Sequence, residues 1–194
     1  MSIRLLTAAV LALGLSACAT GPGAQHGTYS FGVWGDMPYK KAGDESKLPA
    51  VLQSINQSNI AFSIYDGDIK DGSSKCTDDI YTDALKMFGT MVKPVVYVPG
   101  DNEWTDCHRA NNGGYVPTSN GTSPAGRLET LRSTFFPVAG QTLGAGTPRT
   151  LQSQAADPAR SAFVENTMWT DANVQFGVVH VVGSNNGAAP WFTQ

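Results

Sequence analysis

Three short acidic runs are the part of this sequence best able to do chemistry: Gly35-Asp36, then Asp66-Gly67-Asp68-Ile69-Lys70-Asp71, then Gly100-Asp101-Asn102-Glu103. Each comes directly after a stretch of β-forming residues. Carboxylates brought together repel, by about 1 kcal/mol in water at 4 Å separation and about 4 kcal/mol at an effective dielectric of 20. Protonation, the nearby Lys70 and Arg109, or a bound cation would offset that repulsion, and a divalent cation does so most directly. An oxygen donor set suits hard or borderline metals. Turn chemistry explains any one run taken alone, because Asp, Asn and Gly populate loops. Recurrence after three strands is what points to a site. A calcium loop of the EF-hand type does not fit: the later acid and glycine, Asp71 and Gly72, fall at loop positions 6 and 7, and Thr77 occupies position 12.

The elements that must position these acids can be read from periodicity. Residues 28–35 (TYSFGVWG) alternate Tyr29, Phe31 and Val33 and predict a strand. Residues 60–65 predict a second, and the continuously apolar residues 95–98 predict a third of the kind covered on both faces. Between them, Leu48, Val51, Leu52 and Ile55 mark one helix face, and Ile80, Ala84, Met87, Phe88 and Met91 a second, with Thr77 or Asp78 as N-cap and Pro94 closing it. The order βαβαβ predicts an α/β layered domain with parallel strands and right-handed crossovers. All three acidic runs then share the carboxyl edge of the sheet, where open α/β sheets bind ligands. Further on, residues 111–123 form a polar loop, Pro124 opens a helix lined by Leu128, Leu131 and Phe135, and residues 140–159 form another loop. Strands over 161–169 and 174–183 are expected to meet in a hairpin across 170–173. The chain stops eleven residues beyond Gly183 with no pattern for a closing helix, so the domain is expected to be incomplete at its C-terminus.

Residues 1–18 form a targeting segment with Arg4 ahead of a short apolar run, too short for the roughly 18–20 residues that span a bilayer. Leu15-Ser16-Ala17-Cys18 resembles a bacterial lipobox, which implies cleavage before Cys18 and its lipidation; a secretory signal cut elsewhere is the alternative. The targeting segment and lipobox imply an exported protein anchored by lipid in the bacterial envelope, and Ala19 in place of Asp after the cysteine implies sorting to the periplasmic side of the outer membrane. Residues 19–27 read as a tether and 28–194 as the domain. With 41% hydrophobic and 15% charged residues the chain can bury a core, and a net charge of −3 leaves no basic footprint for nucleic acid. Setting Cys18 aside leaves Cys76 and Cys107, an even pair that reads as a disulfide in an oxidising compartment. Two buried thiols are the alternative; a zinc site is disfavoured because no CxxC spacing is present.

Gly67-Asp68-Ile69-Lys70-Asp71-Gly72 fits the GDxxDx motif of the calcineurin-like metallophosphoesterases. Asp36 resembles their first motif and Gly100-Asp101-Asn102-Glu103 a variant of their GNHE or GNHD motif, in matching order over residues 28–187. The resemblance implies the layered sandwich of that family and metal-dependent hydrolysis of a small phosphoester by two ions (Mn, Fe or Zn). It implies that Asp36 binds one metal, Asp68 bridges both, and Asp101 stands in the position of a third ligand; a shifted register makes Asn102 that ligand. Two ions about 3.5–4 Å apart activate water and clamp phosphoryl oxygens. The departures are Pro38 where the family has a histidine, Asn102 where it has the catalytic histidine, and no counterpart of its later histidine motifs. Of the three histidines, His26 lies in the tether, His180 is expected to pack or sit on a strand edge, and His108 is the candidate replacement acid. Asn102, Glu103 and His108 are therefore the candidates for positioning or proton donation. Trp104 reads either as a substrate platform or as a loop shield. A Cys76–Cys107 bond would staple the second and third acidic loops, contributing about 3–4 kcal/mol in the chain-entropy model. The competing reading is an inactive envelope lipoprotein of the same fold that binds a ligand or protein partner.

Overall fold

The computed structural model describes residues 28–39, 43, 46–112 and 124–182. The targeting segment, Cys18, the tether and most of the 111–123 loop lie outside these residues. Strands β1 (Gly32–Trp34), β2 (Ser63–Asp66) and β3 (Val95–Val98) form a parallel sheet in the order β1-β2-β3, with α1 (Leu48–Gln57) and α2 (Asp78–Phe88) as the intervening elements. In register, Trp34 lies opposite Tyr65, Tyr65 opposite Tyr97, and Asp66 opposite Val98. The three strands therefore end level, and the loops after them emerge on one edge. Helix α3 (Pro124–Phe135) comes next. Strands β4 (Gln152–Ser153), β5 (Thr167–Asp171) and β6 (Val174–Val178) then form an antiparallel sheet in the order β4-β5-β6. The protein is thus a mixed α/β fold with helices and a parallel three-stranded sheet.

The parallel sheet is covered on both faces. On one face Trp34, Tyr65 and Tyr97 pack with Tyr81, Ala84, Met87 and Phe88 of α2 and Leu131 and Phe135 of α3; Leu48, Leu52 and Ile55 of α1 lie against the same cluster. On the other face Phe62 and Val96 meet Leu151 and Trp169, with Ile64, Phe176 and Val178 beside them. Continuous burial along β3 explains its unbroken apolar run, because neither face of the pleat meets water. Among the described residues no helix is long and apolar enough to cross a membrane.

Several boundaries differ from expectation. The first strand is only Gly32–Trp34, although the Ala61 amide donates to the Ser30 carbonyl just ahead of it. Its outward Val33 is 63% exposed and Trp34 is the core residue, with the indole N–H donating to buried Ser63 at 3.1 Å. Helix α2 ends at Phe88 with Gly89 as C-cap, five residues before Pro94. Residues 161–166 are not strand: Asp157 caps a 3-10 turn over Pro158–Arg160, and the chain becomes extended only at Thr167. The 140–159 loop contains β4, and β6 stops at Val178, short of residue 183. The hairpin itself forms as expected, its Ala172 and Asn173 both in the left-handed region that tight two-residue turns require.

Candidate functional site

All three acidic runs lie on the carboxyl edge of the parallel sheet. Asp36 and Asp68, just beyond the first two strand ends, both have left-handed backbones, with φ of 56° and 60°. Asp tolerates that region better than most residues, yet a non-glycine held there costs of order 1–3 kcal/mol and persists only where its surroundings over-determine it. Those surroundings are visible. The Asp36 amide donates to the Gly67 carbonyl at 3.1 Å. Gly67, itself at φ 71°, lies so close to the third loop that a Cβ there would fall 2.4 Å from the Gly100 nitrogen. A Cβ on Gly100 would fall 2.1 Å from Asp68 Oδ1. The second and third loops thus touch backbone to backbone.

Glu103 locks this contact from beneath. Its carboxylate is fully buried and accepts from the Asp68 amide at 3.1 and 3.2 Å, the Gly100 amide at 2.8 Å and the Tyr97 hydroxyl at 2.8 Å. Tyr81 donates to its carbonyl at 2.6 Å. Burial pushes the carboxyl up to about 7, with the Asp68 charge adding to the rise against the bonds from Gly100 and Tyr97. Of the three candidates for positioning or proton donation, Glu103 is therefore the one placed to hold both loops.

On the upper side of the contact, Asp68 Oδ1 accepts the Asn102 amide at 3.2 Å. The Asp68 carboxyl is raised by burial first and then by the charges of Asp101 and Asp36, so both of those acids act on Asp68. Asp36 Oδ1 accepts the Tyr39 hydroxyl at 2.8 Å, and the Asn102 side chain also reaches that hydroxyl. Asp101 turns its carbonyl into its own loop, where it accepts from the Trp104 and Asp106 amides and the Thr105 hydroxyl. His108 directs Nδ1 to the Thr105 carbonyl at 2.7 Å. Lys70 is buried beneath the acids, its ammonium donating to the Asp71 carbonyl at 2.8 Å; burial lowers its pKa against the pull of Asp106, Asp71, Glu103 and Asp68. Asp71, the last acid of the GDxxDx run, accepts from the Ser73 amide and from the Ser73 and Ser74 hydroxyls. Burial raises its carboxyl, but these bonds and Lys70 outweigh burial and hold it well below the usual carboxylate range.

Cys76 and Cys107 form a disulfide with Cα atoms 5.7 Å apart, joining the segment after β2 to the segment after β3. Beside Asp36, Tyr39 and Lys47, the side chains of Met37, Leu48 and Val51 line a cavity of ≈ 230 Å³. Asp36, Asp68 and Asp101 fit a cation in donor chemistry, and their mutual repulsion is what a cation would relieve. Their placement is looser than a finished site: among the described residues no group of three or more His, Cys, Asp and Glu side chains is set to hold a metal ion.

The roles of Tyr39 and Tyr97 are not written in any motif of the sequence. Tyr39 lies three residues after Asp36, a spacing that a loop turn could have suggested; Tyr97 looks like one more apolar residue of a buried strand. No protein-family model, curated protein or solved structure matches this chain, so the chemistry of the site rests on its own residues.

Proposed function

We propose that this protein is a metal-dependent phosphoesterase of the calcineurin-like type, exported and anchored by lipid at Cys18 in the bacterial envelope. The observation that carries the reading is the convergence of Asp36, Asp68 and Asp101 at level ends of a parallel sheet, two of them in left-handed backbones fixed by the Gly67–Gly100 contact. In this reading Asp36, Asp68 and Asp101, with the Asn102 side chain, hold two ions such as Mn, Fe or Zn. Such ions supply charge that acidifies water from 15.7 toward about 7 and draws the phosphoryl oxygens. The chain's own contribution is positional. Glu103 holds the Asp68 and Gly100 amides, Tyr39 orients Asp36, and the 230 Å³ cavity beside Asp36 offers Met37, Leu48 and Val51 to the ester's alcohol group. His108 remains the candidate to deliver a proton to the leaving oxygen, while the Asn102 amide can only position groups by hydrogen bonding. The disulfide supports an oxidising location.

The test is metal content together with hydrolysis of p-nitrophenyl phosphate and bis(p-nitrophenyl) phosphate by the purified protein and its Asp68→Ala variant. Bound metal and turnover, both lost in the variant, are the expected result. Neither metal nor turnover in the parent would sink the enzyme reading. That outcome would favour a ligand-binding envelope lipoprotein, the reading to which Pro38, Asn102 and the loose placement of the acids lend weight.

A further inference from the structure

The third acidic loop is tied to the antiparallel sheet by a buried polar chain that the phosphoesterase reading does not use. Arg132 on α3 donates to Glu165 through Nε at 2.9 Å and through a terminal nitrogen at 2.6 Å, a two-pronged pairing. Glu165 Oε1 lies 3.0 Å from His180 Nδ1. His180 Nε2 lies 3.1 Å from the Trp104 indole nitrogen. Glu165, His180 and Trp104 are all buried, their rings and carboxylate enclosed between α3, the end of β6 and the turn after β3.

Donor chemistry settles the state of the imidazole. An indole nitrogen only donates, so Nε2 of His180 is the acceptor, and the ring proton is on Nδ1, aimed at the Glu165 carboxylate. The His180 amide in turn donates to Asn166 at 2.8 Å, which fixes the ring's backbone. At the other end of the chain, Trp104 is not a passive neighbour of the acids. Its amide, the Thr105 hydroxyl and the Asp106 amide converge on the Asp101 carbonyl at 3.2, 3.0 and 3.0 Å. The residue whose indole meets His180 thus supplies, with its two successors, the donors that set the Asp101 turn, next to the Asn102 amide that bonds Asp68.

We infer that His180 is a positioning residue for the candidate site: as a neutral imidazole protonated on Nδ1, it transmits the anchoring of Arg132 and Glu165 to Trp104 and holds the Asp101–Asn102 turn against Asp68. This rests on the phosphoesterase reading for its catalytic consequence, whereas the structural coupling stands apart from it. The turn is then held from two sides, by the disulfide toward the second loop and by the His180 chain toward the second sheet.

The test uses His180→Phe, which keeps an aromatic ring against Trp104 and removes the acceptor, with Trp104→Phe as the reciprocal variant. Two-dimensional amide NMR of the metal-free protein reads the coupling. In His180→Phe the Trp104 indole signal is expected to move upfield, and the Asp101 and Asn102 backbone amides to shift, while β1 and α1 signals stay in place. Turnover is expected to fall about tenfold in kcat with KM changed less than twofold, and the double variant to be no worse than either single one, as members of one chain behave. Unmoved Asp101 and Asn102 amides in a folded His180→Phe protein would overturn the inference whether or not the parent turns over. Additive losses in the double variant would overturn it too. A parent without Asp68-dependent turnover but with the amide shifts would instead remove the phosphoesterase reading and leave the coupling intact.

Discussion

Two buried glutamates, one in each half of the molecule, are almost equally removed from water and titrate in opposite directions. Glu103, 0% exposed beneath the parallel sheet edge, is pushed up to about 7. Glu165, 1% exposed between α3 and the end of β6, is held down at about 2. Burial raises both. The difference lies in the partners: Glu103 receives neutral amides and a phenol while facing the Asp68 charge, whereas Glu165 receives His180 and the Arg132 guanidinium. The first half of the protein gathers several carboxylates around its strand ends with Lys70 and Arg109 as nearby cations, and the second half pairs Glu165 directly with Arg132 and His180. In the phosphoesterase reading proposed above, a cation would relieve the repulsion among the acids of the first half.

The largest expected effect comes from that asymmetry. Asp68→Ala should lower phosphoester turnover beyond about 100-fold, since even partners outside the first ligand shell change metal sites by 10–100-fold. Substitutions on the exposed face of the second sheet should leave turnover alone. A loss of equal size in both halves, measured by steady-state kinetics, would break the distinction.

The glutamates themselves sharpen it through pH. A carboxyl raised in the folded state binds more protons folded than unfolded between 4.5 and about 7, so Glu103 favours folding at low pH and that contribution is lost as pH rises through about 7. Glu165 has the reverse sign: its contribution is present above 4.5 and lost as pH falls toward about 2. Each is worth on the order of 3 kcal/mol at 1.36 kcal/mol per unit. Denaturant unfolding of the metal-free protein across pH should show Glu103→Gln flattening the neutral slope and Glu165→Gln the acid slope; the same slope flattened by both variants would refute the pairing argument.

Comparable in size is the disulfide, which acts on the first half alone. Its closed loop, with a sequence separation of 31, predicts a loss of about 3–4 kcal/mol in Cys76→Ser/Cys107→Ser, read as a lower denaturation midpoint. The smallest effect belongs to β5, where Met168 is 44% exposed: Met168→Thr should change stability by no more than about 0.5 kcal/mol. A change of several kcal/mol there would mean the second sheet is covered in solution.

The two halves also differ in how far they can be read from sequence. The parallel half announces itself because its β3 strand is buried on both faces and its acids fall directly after apolar runs; the bounds of β3 at Val95–Val98 and the start of α3 at Pro124 are both legible in the residues. The antiparallel half is quieter. Strand β4 is two polar residues, Gln152 and Ser153, recognisable only by its pairing with Met168 and Thr167. Residues 161–166 carry strand-like composition but come after the Asp157–Pro158 cap, and local side-chain bonding prevails there. At the site, the positions of Asp36, Asp68 and Asp101 at strand ends are legible, as is the cysteine pair. The inward turn of Glu103 and the reach of Tyr39 to Asp36 are not. The first depends on the meeting of loops distant in sequence, and the second on a loop conformation that no motif specifies. His180, expected to pack or sit on a strand edge, packs just beyond β6, and its partners Trp104 and Glu165 lie 76 and 15 residues away.

The bare contact between Gly67 and Gly100 has a consequence for anyone who would move this site elsewhere. Neither loop carries a complete instruction: each is shaped by the missing side chain of the other, and the shared carboxylate of Glu103 is seated only when both are present. A graft of the GDxxDx loop alone onto a foreign parallel sheet should therefore yield a surface of acids with no fixed spacing. The portable unit is the pair of loops together with the tyrosine-lined floor on which they close.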